Sequence, residues 1–444
     1  MHGLRARRRP PAALPAAALP AAPSLTVPSF TEGGPAPDGH GTRRSWALLV
    51  LLSVAQFMVI LDATVVNVAL PSIGRSLHFD PAGLQWIVTA YVLASGGLVL
   101  AGGRAADLAG RRRMFLIGLT VFTAASLASG LAVSPAALIA ARAGQGVGAA
   151  LLTPAALSII TTAYVGAQRA TALATWGALG GAGAAAGVLA GGVLTSWLGW
   201  RSVFLINVPV GAAAGLLSLR LVPTHRAPAL AAGPLLPPRL LRSRSLVAGV
   251  LIMFGATGLL VGTFFLNSLY LQGVQHASAL RTGLEFLPLA LVIGASAHLG
   301  SRLLPAAGTR VMITAGLLLM GGGALLLTGL APGSGYLAGV LPGLLVIGAG
   351  TGLVLPGASV TALSGVAASE AGAASGLMTA AHEIGAAVGV AVFSAAGVAV
   401  TGGVAAGYRH GFAVATAVAA GLAVTAAVLV PAVRPATGAP VAVH

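Results

Sequence analysis

Four ionisable residues stand inside long apolar runs of this chain: Asp62, Arg142, His382 and Glu383. A charge at the centre of a lipid bilayer costs about 2.5–3.5 kcal/mol on insertion scales, so such residues face a bundle interior or a wet cavity and mark substrate or ion paths. A carboxylate removed from water holds a proton more readily than one in solution, which makes proton exchange the chemistry that Asp62 and Glu383 offer. Arg142 stays charged and needs a partner or a wet cavity. Histidine titrates near physiological pH, so His382 is a second proton-handling candidate beside Glu383. Adjacent helix residues point about 100° apart, so His382 and Glu383 cannot face one cavity equally. The competing reading for each of these four is a structural polar contact or a helix interface.

A second set of residues suits a ligand pocket. Tyr91, Trp176, Phe264, Asn267, Tyr270 and Gln272 are aromatic or amide side chains in apolar surroundings. A mostly apolar cavity with few polar anchors fits a small amphiphilic substrate. Trp86 and Trp197 fall near run ends and read as interfacial anchors. Gln145 needs a partner in the membrane, which a bond between helices supplies. Glu285 lies near the outer membrane edge, as a rim or a coupling residue. The chain has no cysteine and no lysine, so thiolate sites and a phosphate-binding loop with its lysine are excluded. No spaced His/Glu cluster suggests a metal. We expect no enzyme activity, no cofactor and no metal, with energy drawn from a proton gradient.

The elements that hold these residues follow from composition. Of 444 residues, 57% are hydrophobic and 7% charged, against roughly 25% charged in a soluble domain. The mean hydropathy is +0.95. The fold class is therefore all-α integral membrane. Apolar runs of spanning length predict twelve transmembrane helices, at 46–70, 84–103, 114–132, 136–163, 170–197, 202–221, 246–272, 282–301, 310–330, 335–362, 371–400 and 410–431. Residues 1–45, basic and then proline-rich, read as a disordered cytoplasmic tail. The Pro/Arg stretch 222–245 reads as a cytoplasmic linker between a six-helix bundle over 46–221 and another over 246–432, with a second tail at 433–444. With the N-terminus inside, nineteen arginines fall in inner segments and four in outer loops. That bias places both termini in the cytoplasm. It explains the net charge of +16 as a topology signal with no nucleic-acid partner.

The two bundles read as duplicates. Gly146-Val-Gly-Ala-Ala-Leu-Leu-Thr-Pro154 aligns with Gly348-Ala-Gly-Thr-Gly-Leu-Val-Leu-Pro356 at an offset of 202, and Gly183 and Gly187 fall on Gly385 and Gly389. Arg104, Gly110 and Arg112 fall on Arg302, Gly308 and Arg310 at an offset of 198. Pseudo-symmetric halves around a midplane site are a transporter architecture.

The loop Gly103-Arg-Ala-Ala-Asp107-Leu-Ala-Gly110-Arg111-Arg112-Arg113 resembles the cytoplasmic signature of the major facilitator superfamily. Locally, Gly103 permits close helix approach, Gly110 a tight turn, and Asp107 pairing with neighbouring arginines, as a conformational gate. Leu61-Asp62-Ala-Thr-Val-Val-Asn-Val-Ala-Leu-Pro71 resembles the first-span signature of the drug:proton antiporters usually built with fourteen spans. Further matches are Arg142-Ala-Gly-Gln145-Gly146, Trp200-Arg-Ser-Val-Phe-Leu-Ile-Asn207-Val-Pro209-Val-Gly211, Leu269-Tyr270-Leu271-Gln272 and Gly283-Leu-Glu285-Phe-Leu-Pro288. Two departures stand out. The chain lacks the extra central pair of spans, and Val188 occupies the proline position of the span-five antiporter motif. The Gly183, Gly187, Gly191 spacing still suits close helix packing. The resemblance implies proton-coupled efflux of a drug or antibiotic-like molecule by a monomeric, multi-pass protein of the bacterial cytoplasmic membrane. It further implies that Arg142 takes part in proton coupling; Asp62 and Arg142, on nearby spans of one bundle, are expected to communicate. Uptake or facilitated diffusion of a small metabolite by the same fold, or a transport-inactive sensor or scaffold, are the alternatives.

Overall fold

The computed structural model describes residues 39–80, 83–164, 166–222, 238–331, 333–366, 370–398 and 404–433. The expected tails fall largely outside this range, as do 223–237 of the expected linker. The first half comprises α1 (Gly39–Leu77), α2 (Gln85–Ala109), α3 (Arg111–Gly130), α4 (Pro135–Ala163), α5 (Gly166–Leu198), α6 (Ser202–Leu205) and α7 (Asn207–Leu221). After a short helix α8 (Pro238–Leu241) come α9 (Arg244–Gly273), α10 (Ala279–Ala307), α11 (Thr309–Leu327), α12 (Leu341–Leu363), α13 (Ala371–Val398) and α14 (Val404–Leu429). A π-helical turn, Tyr336–Val340, leads into α12. Helix thus occupies all twelve expected positions. Eleven stretches of the described residues are long and apolar enough to span a membrane, and α5 contributes the shorter apolar stretch Ala186–Leu198.

Several helix ends run past the expected bounds, and two departures concern how an element begins or divides. The first helix begins at Gly39, inside the stretch read as tail, and the sixth span is divided at Ile206 into α6 and α7. Neither is a hydropathy event. Helical hydrogen bonds continue past the apolar run, and a local rearrangement interrupts them without a change of composition. Elsewhere the ends carry ordinary capping chemistry. Ser134, Ser243 and Ser278 each accept a backbone N–H at the starts of α4, α9 and α10, as N-caps do.

Buried apolar side chains fall into two clusters, one drawn mainly from the first half and one mainly from the second. The duplicated motifs occupy equivalent places in each. Gly110 and Gly308 have φ of +97° and +79°, a backbone state that suits glycine, and they turn α2 into α3 and α10 into α11. Two residues beyond each turn, Arg112 Nη2 donates to the Leu219 carbonyl at 2.7 Å and Arg310 Nε to the Val430 carbonyl at 2.7 Å. Each arginine caps the last helix of its own half. A methyl added at Gly183 or Gly187 would stand 2.8 Å from Ile60 Cγ2 or 1.8 Å from Thr64 Oγ1, so α5 lies directly on α1. At Gly385 and Gly389 it would meet the Phe254 and Gly258 carbonyls at 2.1 and 2.0 Å, so α13 lies on α9 in the same way.

Two features of the signature loop correct the local reading. The close approach belongs to Gly102, where a methyl would lie 2.0 Å from the Ala150 carbonyl, whereas at Gly103 the nearest atom is Pro154 Cβ at 3.7 Å. Asp107 takes part in none of the three ion pairs among the described residues, and the neighbouring Arg112 is engaged with the end of α7.

Candidate functional site

Asp62 and Arg142 form a direct ion pair, Arg142 Nη1 to Asp62 Oδ2 at 2.5 Å, with side-chain exposures of 0% and 1%. Nearly every first-half span contributes to it. From α4, Gln145 Nε2 donates to Asp62 Oδ1 at 2.9 Å, and from α7, Asn207 Nδ2 donates to the same oxygen at 2.9 Å. From α3, Ser129 Oγ donates to Gln145 Oε1 at 3.0 Å and Ser126 Oγ accepts from Gln145 Nε2 at 2.7 Å. From α2, the Ile87 carbonyl accepts from Arg142 Nε at 3.0 Å, and the Tyr91 ring lies 4.3 Å under the guanidinium. Phe204 of α6 adds a second ring at 5.7 Å.

Gln145 is fixed in orientation by this chemistry. Its Oε1 accepts from Arg142 Nη1 at 2.9 Å as well as from Ser129, which forces its NH2 toward the carboxylate. Asp62 therefore accepts three hydrogen bonds from two amides and a cation. A buried pair is tolerable only when its remaining polar capacity is also satisfied, and this one meets that condition.

The span-eleven pair diverges as helix geometry requires. Glu383 faces α2 and accepts from Ser95 Oγ at 2.9 Å. His382 faces α9, with Nδ1 3.2 Å from Thr257 Oγ1. Glu383 is thus bonded across the two halves, whereas His382 stays within the second.

The six pocket candidates make different contacts. Tyr91 is buried beneath Arg142 as part of the ion-pair cluster. Trp176 is half-buried on the first apolar cluster. Phe264 packs on Phe286 with centroids 4.1 Å apart. Tyr270 donates to the Ala331 carbonyl at 2.7 Å and meets Tyr408 edge-on, inside the second half. Gln272 Nε2 donates to the Val68 carbonyl of α1 at 2.9 Å, one turn beyond Ser268 Oγ, which donates to the Asn67 carbonyl at 2.7 Å. Asn267 bonds its own helix at the Thr263 carbonyl, and Asn67 does likewise at Ala63. Each leaves a buried Oδ1 without a partner among the described residues. Trp86 and Trp197 are exposed, as lipid-interface anchors are.

The end of α5 completes a seam. A methyl at Gly283 would lie 2.7 Å from the Val188 carbonyl, and one at Gly192 would lie 2.9 Å from the Ala279 carbonyl. The Leu280 amide donates to Ser196 Oγ at 3.1 Å. Together with Ser268 and Gln272, these contacts join the halves where α1, α5 and α9 end and α10 begins. Glu285, two residues past Gly283, is buried and pairs with the exposed Arg281 at 2.8 Å.

Sequence reasoning placed Asp62, Arg142 and Glu383 at polar centres but missed their neutral partners Ser95, Ser126 and Ser129. Asn207 entered only as a motif letter. The available signal was demand. A buried carboxylate and guanidinium together need several more donors and acceptors than they give each other, and Gln145 and Asn207 were the amides at hand.

Residues 52–390 match the profile of the Major Facilitator Superfamily. The chain is 38% identical to the cephamycin export protein CmcT of Amycolatopsis lactamdurans, over 81% of this chain and 87% of that one. It is 38% identical to the puromycin resistance protein pur8 of Streptomyces alboniger, over 82% and 84%. Among solved structures it is similar to a bacterial homolog of the human lysosomal transporter Spinster, inward-facing and occupied, with TM-score 0.70, 20% identity and coverage of 85% and 95%. The nucleoside transporter NupG has TM-score 0.70 at 14% identity, with coverage of 85% and 98%.

Proposed function

This chain belongs to the Major Facilitator Superfamily, and from that premise we propose that it exports an antibiotic-like small molecule across the bacterial cytoplasmic membrane in exchange for protons. The observation that carries the reading is the buried Asp62–Arg142 pair, a carboxylate and a guanidinium enclosed together in a transporter fold. The names of the relatives, an exporter of one antibiotic and a resistance protein for another, favour export over uptake.

The mechanism follows from which bonds a proton would break. Protonating Asp62 removes one half of the pair and weakens the donations from Gln145 and Asn207. Arg142 keeps the Ile87 carbonyl and the Tyr91 ring, both on α2. The helix released is therefore α1, which lies on the glycines of α5 and is held across the seam by Ser268 and Gln272. Proton occupancy at Asp62 thus bears on whether the seam stays shut. Glu383 acts as a second exchanging carboxylate or as a contact for a cationic substrate, with His382 beside it. The loop containing Gly103, Asp107, Gly110, Arg111 and Arg112 gates the opposite face. The two six-helix bundles rock around a central site and expose it to each face in turn. We place both termini in the cytoplasm and take the monomer as the working unit.

The test uses inverted membrane vesicles and a panel of antibiotics. A proton gradient should drive accumulation of at least one compound, and Asp62→Asn should abolish gradient-driven accumulation with normal membrane insertion. Undiminished accumulation in that variant would remove Asp62 from the mechanism.

A further inference from the structure

We infer that Ser95 is a positioning residue that ties the Glu383 carboxylate of the second half to the Asp62–Arg142 cluster of the first, with α2 as the connecting element. Three positions spaced by four along α2 carry the connection. The Ile87 carbonyl and the Tyr91 ring hold Arg142, and Ser95 Oγ holds Glu383 Oε2. Residues four apart lie on one helix face, so a single stripe of α2 touches both charged sites.

Two observations make the stripe a connector. First, α2 is locked to α4. A methyl at Gly146 would stand 2.3 Å from the Tyr91 carbonyl and 3.1 Å from the Ser95 amide. The Ser95 end therefore moves with the helix that carries Arg142. Second, the Ser95 hydroxyl has two acceptors. Its oxygen lies 2.9 Å from Glu383 Oε2 and 3.2 Å from the Val92 carbonyl of its own helix. When Glu383 departs, the hydroxyl turns to Val92 and leaves no orphaned donor. The bond is therefore reversible at low cost, as a contact made and broken in each cycle must be. A hydrogen bond to an ionised acceptor is about twice as strong as a neutral one, so a proton on Glu383 loosens α13 from α2. The backbones are close enough for this to matter, since a methyl at Gly96 would lie 2.6 Å from Glu383 Cβ.

The inference rests on the reading above in one respect, that Glu383 exchanges a proton, and its test does not require that step. The chain has no cysteine, so Leu100→Cys with Gly376→Cys introduces one thiol pair across the α2–α13 contact. A methyl at Gly376 would lie 2.7 Å from Leu100 Cδ2, and shortening Leu100 clears that space. Disulfide closure is followed in membrane vesicles holding the full chain. Ser95→Ala and Glu383→Gln should each slow closure about tenfold, the scale of a hydrogen bond to a charged acceptor. The two together should be no slower than either alone, and Ser95→Thr should close at the parent rate. Closure unaffected by Ser95→Ala, or effects that multiply in the double variant, would overturn the inference. Undiminished gradient-driven export by Glu383→Gln, with the closure pattern intact, would overturn proton exchange at Glu383 and leave the Ser95 connection standing.

Discussion

Arg142 is the largest fully buried side chain among the described residues, and its guanidinium is engaged at Nε, at Nη1 and on its face. It donates to a carboxylate, an amide oxygen and a backbone carbonyl while resting on an aromatic ring. Lysine keeps the charge but not the planar fork or the ring stacking. Arg142→Lys should therefore cut gradient-driven transport about tenfold or more, the worth of one charged hydrogen bond, and vesicle accumulation assays would read it. Arg142→Ala strands a buried carboxylate, a loss of about 3–5 kcal/mol, visible as a lower melting temperature in detergent. Adding Asp62→Asn to Arg142→Ala should recover most of that stability and none of the transport. A double variant as unstable as the single one would mean that Asp62 is not ionised against Arg142. Asp62 and Arg142 were legible in the sequence because charge in lipid is costly enough to demand a reason. Their neutral helpers were not. Asn207 reaches across to Asp62, whereas Asn67 and Asn267 bond their own helices. The three share one residue type in similar apolar surroundings, and only the packing of neighbouring helices separates them.

At the scale of the helix, α5 links α1, which carries Asp62, to the seam. Gly183, Gly187 and Gly191 present a smooth track to α1, while Val188 and Gly192 meet α10 of the other half. The sequence showed the glycine spacing but not which neighbour each glycine met, because a helix with small residues on several faces has no unique partner. Helix α5 runs unbroken from Gly166 to Leu198, and the Val188 carbonyl forms part of the seam. Gly187→Ala puts a methyl 1.8 Å from Thr64 Oγ1 and 3.0 Å from Thr64 Cβ, an overpacking worth about 1–3 kcal/mol. We expect it to lower both the melting temperature and the transport rate. Gly97→Ala is the control, since nothing lies within 4 Å of the added methyl, and it should leave both quantities unchanged. Equal effects of the two substitutions would show that the track is not a packing constraint.

Over the whole molecule the duplication is carried by turns, caps and packing glycines and not by the ionisable residues inside the spans. Paired turn glycines, paired arginine caps on the last helix of each half, and paired glycine contacts between α5 and α1 and between α13 and α9 all repeat. The Asp62–Arg142 cluster does not, since Leu344 stands at the offset of 202 from Arg142. The repeat was legible because small residues and turns recur at fixed spacing. The asymmetry of the chemistry was legible only as four ionisable residues at unmatched positions. Orientation decides what the closed seam means. On the orientation we propose from the arginine bias, the ends of α1, α5 and α9 lie at the outer face and the seam would shut the transporter toward the outside. Single cysteines in this cysteine-free chain test that assignment. Val133, 82% exposed between α3 and α4, should be an outer position, and Leu241, 52% exposed on α8, an inner one. An impermeant maleimide added to intact cells should label Val133→Cys and spare Leu241→Cys, with the pattern reversed in inverted vesicles. The opposite result would place the shut seam on the cytoplasmic side, and the proton that loosens α1 would then open the transporter inward.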